Sequence, residues 1–186
     1  MKQDSTATTD VDTLFDTLEA LQADRKLPPV DQWHPDRHGR IDIRIARDGT
    51  WYHEGTPIRR SALVKLFSTV LRRDPDGFCL VTPAEKLTIE VEDAPFVAVN
   101  MEVRGSGAAT DLLFTTNVGD HVVASARHPL RVDEDDGEPR PYVLVRPGLE
   151  ALINRAVFYR LVDLARPDGR ELVVHSRGER FSLGKI

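Results

Sequence analysis

The stretch LTIEVEDAPFVAVNMEV, residues 87–103, predicts two successive β-strands in the middle of the chain. Apolar residues occupy every second position from Leu87 to Val91, and again from Val97 to Val103. This alternation is typical of half-buried strands, in which successive side chains point to opposite faces. Ala94-Pro95 separates the two runs. A chain built around such strands, with few helices, is predicted to have an α+β fold of mainly antiparallel sheet.

The residues before this stretch predict one helix within a further set of strands. Ile41–Ile45 alternates as a strand, Asp48-Gly49 is a tight-turn pair, and Trp51–His53 is the returning strand. A helix with an apolar face is predicted from Ser61 to Leu71. A separate N-terminal helix is predicted from the helical spacing of the following residues: Leu14, Phe15, Leu18 and Leu21.

The residues after it predict a second set of similar composition. Strands are expected near 111–116, 121–126 and 141–146, an acidic loop at 133–138, a helix from about 149 to 163, and a last strand at 172–174. The flexible Gly105-Ser106-Gly107 is the predicted break between the halves. The predicted organisation is an N-terminal tail and helix at 1–30, a first half at 31–104 and a second half at 108–186.

Two short phrases each occur twice in the same order. Thr56-Pro57-Ile58-Arg59 is echoed by His128-Pro129-Leu130-Arg131, and Leu80-Val81-Thr82-Pro83 by Leu144-Val145-Arg146-Pro147. The echoes suggest one unit built twice. However, the prolines are 26 residues apart in the first half and 18 in the second, and the predicted helices fall at different places. The residues alone leave duplication and chance equally open.

Composition restricts the classes of function. The 186 residues carry a net charge of −5, which disfavours non-specific nucleic-acid binding, and no stretch is long and apolar enough for a membrane helix. A single cysteine, Cys79, excludes an intramolecular disulfide and a cysteine-based zinc site. We therefore expect a cytoplasmic protein.

Motifs for metals, phosphate loops and nucleophiles are incomplete. Pro35 interrupts the His34/His38 pair, and the acidic stretch Asp133–Gly137 departs from the calcium-loop pattern. No glycine elbow surrounds Ser125. No catalytic or metal-binding residue is therefore predicted, and a non-enzymatic function is favoured.

Longer segments of the chain resemble the bacterial family catalogued as domain of unknown function 1285. The resemblance extends from about Trp33 to Leu164. The segments that carry it are Gly49–Ile58, Phe67–Arg73, Leu80–Lys86, Val91–Phe96, Thr116–Asp120, His128–Arg131 and Gly148–Leu152. The resemblance implies a duplicated α+β core whose second half is superficially like a pleckstrin-homology domain. It also implies a small-ligand site where the halves meet, with a nucleotide as one candidate, and a role in signalling.

The leading hypothesis is a ligand-binding or sensory protein that holds an anionic metabolite or nucleotide between its halves. Arginine suits such a ligand because its planar fork matches phosphate and carboxylate groups. The candidate residues are Trp51 and Tyr52 for stacking, His53 and His128 for polar contacts, Arg59, Arg131 and Arg146 for the anion, and Asn117 and Asp120 for hydroxyl groups.

Two alternatives stay open at this point. One is a protein-interaction module, with Val97–Val103 as an edge strand that receives a partner strand, or with Phe158 and Tyr159 as an aromatic patch. The other is an enzyme of unrecognised type that modifies a nucleotide. The sequence specifies neither a cofactor nor a protein partner.

Overall fold

The computed structural model describes Val11, Thr13, Leu14, Leu18 and residues 27–186. The chain forms two compact units, Met1–Glu92 and Asp93–Ile186. The four isolated N-terminal residues are helical, and Val11, Leu14 and Leu18 are buried. The rest of the predicted N-terminal tail and helix, including Phe15 and Leu21, lies outside the described residues.

Over residues 27–92, the first unit contains a six-stranded sheet and one helix. Its elements are a 3-10 turn at Val30–Gln32, β1 (Arg37–Ile45), β2 (Trp51–His53), β3 (Thr56–Pro57), α1 (Ser61–Thr69), β4 (Leu71–Asp74), β5 (Gly77–Val81) and β6 (Glu85–Val91). The strand order is β3-β2-β1-β6-β5-β4. The two central strands, β1 and β6, are parallel, and the other pairings are antiparallel.

The core of the first unit includes the apolar side of β1 and the contact of β2 with α1. Ile41, Ile43 and Ile45 are at most 2% exposed. The ring of Trp51 lies 6.4 Å from that of Phe67 on α1. The predicted helix is shorter than expected, because Leu71 leaves it and begins β4, where it pairs with Leu80.

The second unit contains another six-stranded sheet, a three-stranded sheet and one helix. Its elements are β7 (Phe96–Arg104), a 3-10 turn at Gly107–Ala109, β8 (Asp111–Thr116), β9 (His121–Val123), β10 (Leu130–Asp135), β11 (Glu138–Arg146), β12 (Leu149–Ile153), α2 (Arg155–Leu164), β13 (Arg166–Asp168), β14 (Glu171–Ser176) and β15 (Glu179–Lys185). The large sheet has the order β10-β11-β12-β7-β8-β9, and the small one β13-β14-β15.

The two large sheets have the same topology. In each, the first three strands form an antiparallel meander that runs from the centre of the sheet (β1 or β7) to one edge. The last three strands form a second antiparallel meander that runs from the opposite edge back to the first strand. The sixth strand then pairs parallel with the first, as β1 with β6 and β7 with β12. The fold is therefore a duplicated α+β unit.

The echoed phrases occupy related places in this repeat. Leu80–Pro83 and Leu144–Pro147 both lie at the turn from the fifth strand to the sixth. Thr56–Arg59 and His128–Arg131 both lie in the connection from the third strand to the fourth, at its opposite ends. The spacing differs because α1 lies within this connection in the first unit, whereas α2 follows the sixth strand in the second.

The large sheet of the second unit must be strongly curled. Its edge strands β9 and β10 are joined by the residues between Val123 and Leu130, which span about 24 Å when fully extended. A flat six-stranded sheet is also about 24 Å wide. The connection is not extended, because Ser125 and His128 exchange backbone hydrogen bonds of 3.1 Å in a turn. The two edges therefore approach each other.

Three features differ from the sequence-based expectation. The units divide at Glu92/Asp93 rather than at Gly105–Gly107, because β7 belongs to the second sheet. The same strand is central and not an edge, since it pairs with both β12 and β8. The predicted helix at 149–163 starts only at Arg155, because Leu149–Ile153 alternates in burial as β12.

Candidate functional site

The predicted site residues are divided between the two units. Trp51, Tyr52, His53 and Arg59 belong to the first unit. The other five belong to the second, namely Asn117, Asp120, His128, Arg131 and Arg146. Their convergence on one ligand stays a prediction.

The two aromatic candidates differ in exposure. Trp51 is 1% exposed and packs against α1, so its ring is a core residue with no face open to a ligand. Its indole Nε1 has no hydrogen-bond partner among the described residues. Tyr52 is half-buried, and the Arg44 guanidinium lies 4.3 Å from the centre of its ring. A ligand base would stack on Tyr52 only on the face that Arg44 leaves open.

Two polar candidates of the second unit support the sheet itself. The Val97 N–H donates to Asn117 Oδ1 at 3.0 Å, and the Asn117 N–H donates to the Val97 carbonyl at 2.8 Å. The ring of His128 places Nδ1 2.9 Å from the Leu144 carbonyl, which can only accept, so Nδ1 carries the proton. Both side chains therefore have structural hydrogen bonds that a ligand would have to replace.

Arg131 is held by carboxylates on the surface of the second sheet. Its guanidinium donates two bonds of 2.7 Å to Glu150, pairs with Asp133 and lies 4.2 Å from the centre of the Tyr142 ring. The bonds to Glu150 raise the pKa of Arg131, while partial burial opposes the shift. Its charge is therefore already compensated by the protein.

Arg146 is also paired within the second unit. Its Nη2 lies 2.6 Å from Asp120 Oδ2, and its guanidinium is 5.2 Å from the centre of the Phe96 ring. The side chain is 14% exposed. Two predicted site residues, Arg146 and Asp120, thus bind each other, and an anion reaching Arg146 would compete with that carboxylate.

Arg59 has a different environment, because it precedes the N-terminus of α1. It is exposed, and the described residues provide no ion-pair partner for it. The N-cap of α1 is Arg60, with no capping side-chain hydrogen bond, and the first turn holds no acidic residue. The first N–H groups of a helix have no intrahelical acceptor and carry a partial positive charge. Arg59 and this helix end together form the part of the predicted site best suited to an anion.

An ionic network in the first unit lies outside the predicted set. Arg72 donates to Asp74 at 2.7 and 2.9 Å and to the carbonyls of Val30 and Trp33, both at 2.8 Å. Lys86 pairs with the same aspartate at 2.8 Å. The bond from Arg72 and then Lys86 lower the pKa of Asp74 to about 2, against partial burial. Arg72 and Asp74 are two positions apart on one strand, but the backbone acceptors of Arg72 are 39 to 42 residues away, so no local pattern predicts the network.

A second network of this kind joins the start of the second unit to β11. Asp93 accepts from the Tyr142 hydroxyl at 2.8 Å and from Arg140 at 2.7 Å. Burial, followed by the hydrogen bond to Asp93, raises the pKa of Tyr142 to about 12. No local pattern in the sequence predicts this contact, because Asp93 is 49 residues from Tyr142.

A polar cleft lies between the hairpin β10–β11 and the strands β14 and β15. Its cavity volume is about 500 Å³. The lining consists of Val132, Asp133, Glu134, Pro139, Glu171, Leu183, Gly184 and Lys185. The sequence predicts an acidic loop at 133–138, but no local pattern indicates the cleft, since β10 and β15 are about 50 residues apart along the chain.

Within Val11, Thr13, Leu14, Leu18 and 27–186, no three His, Cys, Asp or Glu side chains are grouped so that they could hold a metal ion. No helix among these residues is long and apolar enough to cross a membrane.

Two family models match consecutive parts of the chain. The N-terminal domain of DUF1285, a domain of unknown function, matches residues 28–94, and the C-terminal domain matches 95–183. Their junction lies two residues from the division between the compact units. No curated protein shows significant similarity to the chain.

Two solved structures are similar to this fold. A DUF1285 family protein from Silicibacter pomeroyi DSS-3 is 52% identical, with a TM-score of 0.84, over 88% of this chain and 90% of that one. One from Shewanella baltica OS155 is 27% identical, with a TM-score of 0.52, over 65% and 90% respectively. Since the family models account for residues 28–183 and share the division into units, the chain belongs to the DUF1285 family.

Proposed function

We propose that this protein is a non-enzymatic ligand-binding or sensory protein that recognises an anionic metabolite, with nucleotides as the first class to test. The observation that carries the proposal is the position of Arg59, an exposed arginine without a described ion pair, beside the uncapped start of α1. A phosphate or carboxylate placed there would meet the arginine fork and helix N–H groups together.

The titratable groups favour binding over catalysis. General acids and bases work best with a pKa near the working pH. Three pKa values of this protein are instead moved further from neutral pH. The pKa of Asp74 is about 2, that of Tyr142 about 12, and that of the Cys79 thiol about 11, raised mainly by burial. These shifts keep each group in its ordinary protonation state at neutral pH.

Further features support a signalling context for the proposal. The curled six-stranded sheet followed by α2 is compatible with a pleckstrin-homology-like second half. A single buried cysteine suits a reducing compartment, so the proposed location is the cytoplasm. A binding protein of this kind would report ligand levels by a change in stability or in partner affinity.

Thermal shift with a panel of nucleotides and phosphorylated metabolites tests the proposal. A ligand at 100 times its Kd stabilises the fold by about 2.7 kcal/mol, which is a readily measured change in Tm. We expect Arg59→Ala to abolish the shift. The matched control is Arg40→Ala, an exposed arginine on β1 of the same unit, which should leave the shift unchanged.

The outcome at Arg131 distinguishes the two arginine environments. Arg131→Ala should leave ligand binding intact, because that guanidinium is already bound by Glu150 and Asp133. The proposal fails if no member of the panel raises Tm. It also fails if Arg59→Ala and Arg40→Ala respond alike.

A further inference from the structure

Four Asp-Gly steps lie at turns between consecutive strands of the fold. They are Asp48-Gly49, Asp76-Gly77, Asp136-Gly137 and Asp168-Gly169. At such a step the glycine nitrogen can bond to the carboxyl carbon of the aspartate side chain, because glycine has no side chain to hinder the approach. The reaction needs an aspartate side chain that is free to turn and a glycine nitrogen that no other group holds.

The four aspartate side chains differ in their partners. Three carboxylates are each held by a donor, and these pairs are Asp48 with the Thr50 N–H at 2.9 Å, Asp76 with Lys86 Nζ at 2.9 Å, and Asp168 with Arg180 Nε at 2.8 Å. Asp136 is exposed, and the described part of the chain provides no hydrogen bond or ion pair for its carboxylate. Of the four side chains, only that of Asp136 can therefore turn toward the next amide without losing a hydrogen bond.

Two of the four glycine nitrogens are engaged by the backbone. The Gly49 N–H donates to the Ala46 carbonyl at 2.9 Å. Gly77 pairs with Asp74 across the β4–β5 ladder and closes a two-residue loop, a position at which the N–H donates to the opposite carbonyl. Neither nitrogen can close a ring without the loss of this bond.

The other two nitrogens lie inside two-residue loops. Gly137 lies in the loop between β10 and β11, and Gly169 in the loop between β13 and β14. Among residues 27–186, no acceptor is found for either N–H. Since Arg180 holds the carboxylate of Asp168, Asp136-Gly137 is the step of the four at which both groups are free.

The turn at Asp136-Gly137 leaves room for the ring. Its φ angles of 50° and 80° are both positive, as in the type I′ turn of a two-residue hairpin. A Cβ added to Gly137 would meet no heavy atom within 4 Å beyond its chain neighbours, so open space surrounds the loop. All residues from 133 to 139 are exposed, and exposed hairpin ends open at low free energy. Ring closure therefore requires local opening and not unfolding of the unit.

We infer that Asp136 isomerises spontaneously to isoaspartate through a succinimide. The Gly137 nitrogen forms a bond to the side-chain carboxyl carbon of Asp136 and loses its proton, and one carboxyl oxygen leaves as water. A water molecule then attacks the backbone carbonyl carbon of Asp136 in the ring and breaks the bond from that carbon to nitrogen. The chain now runs through the side-chain carbon, and the former backbone carbonyl is a free carboxylate. One water is released and one is consumed, so the product has the mass of the starting protein.

The product changes the hairpin beside the polar cleft. Isoaspartate adds one methylene to the main chain of a loop whose two-residue length fixes the register of β10 and β11. The closing pair of Asp135 with Glu138 and the 2.7 Å bond from Arg140 to Asp135 lie next to it. The modified protein should therefore lose amide protection at this end of the hairpin in hydrogen exchange. The site lies in the second unit and does not depend on the anionic ligand proposed for Arg59.

Incubation of the folded full chain in neutral buffer tests the inference. Isoaspartate is located by mild digestion, separation of peptides of equal mass, and methylation of the new carboxylate by an isoaspartate-specific methyltransferase. We expect it to accumulate about tenfold faster at Asp136 than at Asp48, Asp76 and Asp168, because one hydrogen bond to a charged group corresponds to such a ratio of rates. In urea the folded-state partners are lost, and the four steps should react at similar rates.

Two variants test the side chain and its partner separately. Asp136→Glu should abolish the product, because glutamate would have to close a six-membered ring, which forms far more slowly. The turn should survive, since Glu54-Gly55 already forms a two-residue loop with φ angles of 48° and 75°. Arg180→Ala should release the Asp168 carboxylate beside the free Gly169 nitrogen and raise the isoaspartate content at position 168.

Four results would overturn the inference. The first two are equal rates at the four steps of the folded protein and a preference for position 136 that persists in urea. The third is a folded chain without isoaspartate at 136 after an incubation that modifies the urea-unfolded chain. The fourth is an unreactive position 168 in Arg180→Ala, because the partner of the carboxylate would then not control the reaction.

Discussion

At the scale of single residues, several charged side chains of this protein hold backbone segments in place. Arg72 shows this most clearly, because it joins Asp74 on its own strand to the Val30 and Trp33 carbonyls of the preceding connector. The side chains of Arg72 and Asp74 are only 14% and 17% exposed. Removing one partner of such a pair leaves the other without compensation in a place that water reaches poorly.

Asp74→Asn tests this network. Replacement should lower the free energy of unfolding by about 2 kcal/mol, the scale of a hydrogen bond between charged groups. Asp76→Asn is the matched control, because Asp76 also binds Lys86 but is 64% exposed, so its loss should have a much smaller effect. Urea unfolding of the three proteins measures both changes. Equal changes for the two variants would contradict the assignment.

The pH dependence of stability provides a second test of Asp74. Its pKa is about 2 in the folded protein and about 3.9 in an unfolded chain. Because the folded pKa is the lower one, the carboxylate stabilises the fold above about pH 4, and this contribution is lost as the pH falls toward 2. The stability difference between the wild type and Asp74→Asn should therefore shrink over that range. A difference that stays constant would mean that the carboxylate charge is not the cause.

Cys79 should be chemically inert in the folded protein. It is 1% exposed, and burial raises the pKa of its thiol to about 11, so very little thiolate is present at pH 8. Ellman's reagent should react with less than a stoichiometric amount of thiol in the native state within an hour. It should react fully in denaturant, which is the internal control. Rapid complete reaction of the native protein would contradict this burial.

At the scale of elements, one buried hydroxyl helps to join the two sheets of the second unit, together with the bond of 2.8 Å from the Arg177 N–H to the Thr110 carbonyl. Ser176 is fully buried, and its side chain both donates to Ala124 and accepts from Leu112. Ser176→Ala leaves two buried backbone groups without their partner. The expected cost is about 1–3 kcal/mol.

The matched control for Ser176 is Ser182 on the neighbouring strand, whose hydroxyl donates to Glu171 at a more accessible position. Ser182→Ala should cost less than Ser176→Ala in chemical denaturation. Hydrogen exchange should accelerate at the Leu112 amide in the Ser176 variant alone. An unchanged Leu112 amide would show that the small sheet is held by other contacts.

The elements also show why part of the fold could be predicted from the sequence. Local patterns predicted several elements correctly. The alternating segments Ile41–Ile45 and Leu87–Val91 form strands, and Asp48-Gly49 forms a turn. The alternation failed at Val99, which is 45% exposed, because the β7–β8 register shifts between Ala98 and Asn100. A bulge inserts one extra residue into the strand, so the side chains after it point to the opposite face from the one that simple alternation predicts. No local sequence pattern predicts such a bulge.

The candidate site was less predictable than the strands for a related reason. A sequence shows which side chains carry charge, but not which acid reaches which base. The sequence gives the same predicted role, binding an anion, to Arg59, Arg131 and Arg146. The structure distinguishes them, because Arg131 is bound by Glu150 and Arg146 by Asp120. Both pairings join residues that lie 19 to 26 positions apart on different strands or turns. The cleft beside β10 is lined by strands that lie still further apart along the chain.

At the scale of the whole molecule, the strand pairings determine where the chain can be divided. Every pairing of the first sheet lies before Glu92, and every pairing of the other two sheets lies after Asp93. The glycine-rich segment at 105–107, although flexible in composition, lies between β7 and β8 of one continuous sheet. A cut there removes the strand that joins β12 to β8.

Two fragments therefore have opposite expected behaviour. Residues 93–186 retain all nine strands of the second unit among the described elements, so this fragment should unfold cooperatively in urea and show dispersed amide resonances. Residues 106–186, which start at the glycine-rich segment, lack β7 and with it the buried side chains of Phe96, Ala98 and Met101. Without its central strand the sheet separates into a three-stranded piece and a two-stranded piece, and we expect no cooperative transition. A folded 106–186 fragment, or an unfolded 93–186 fragment, would contradict the division at Glu92/Asp93.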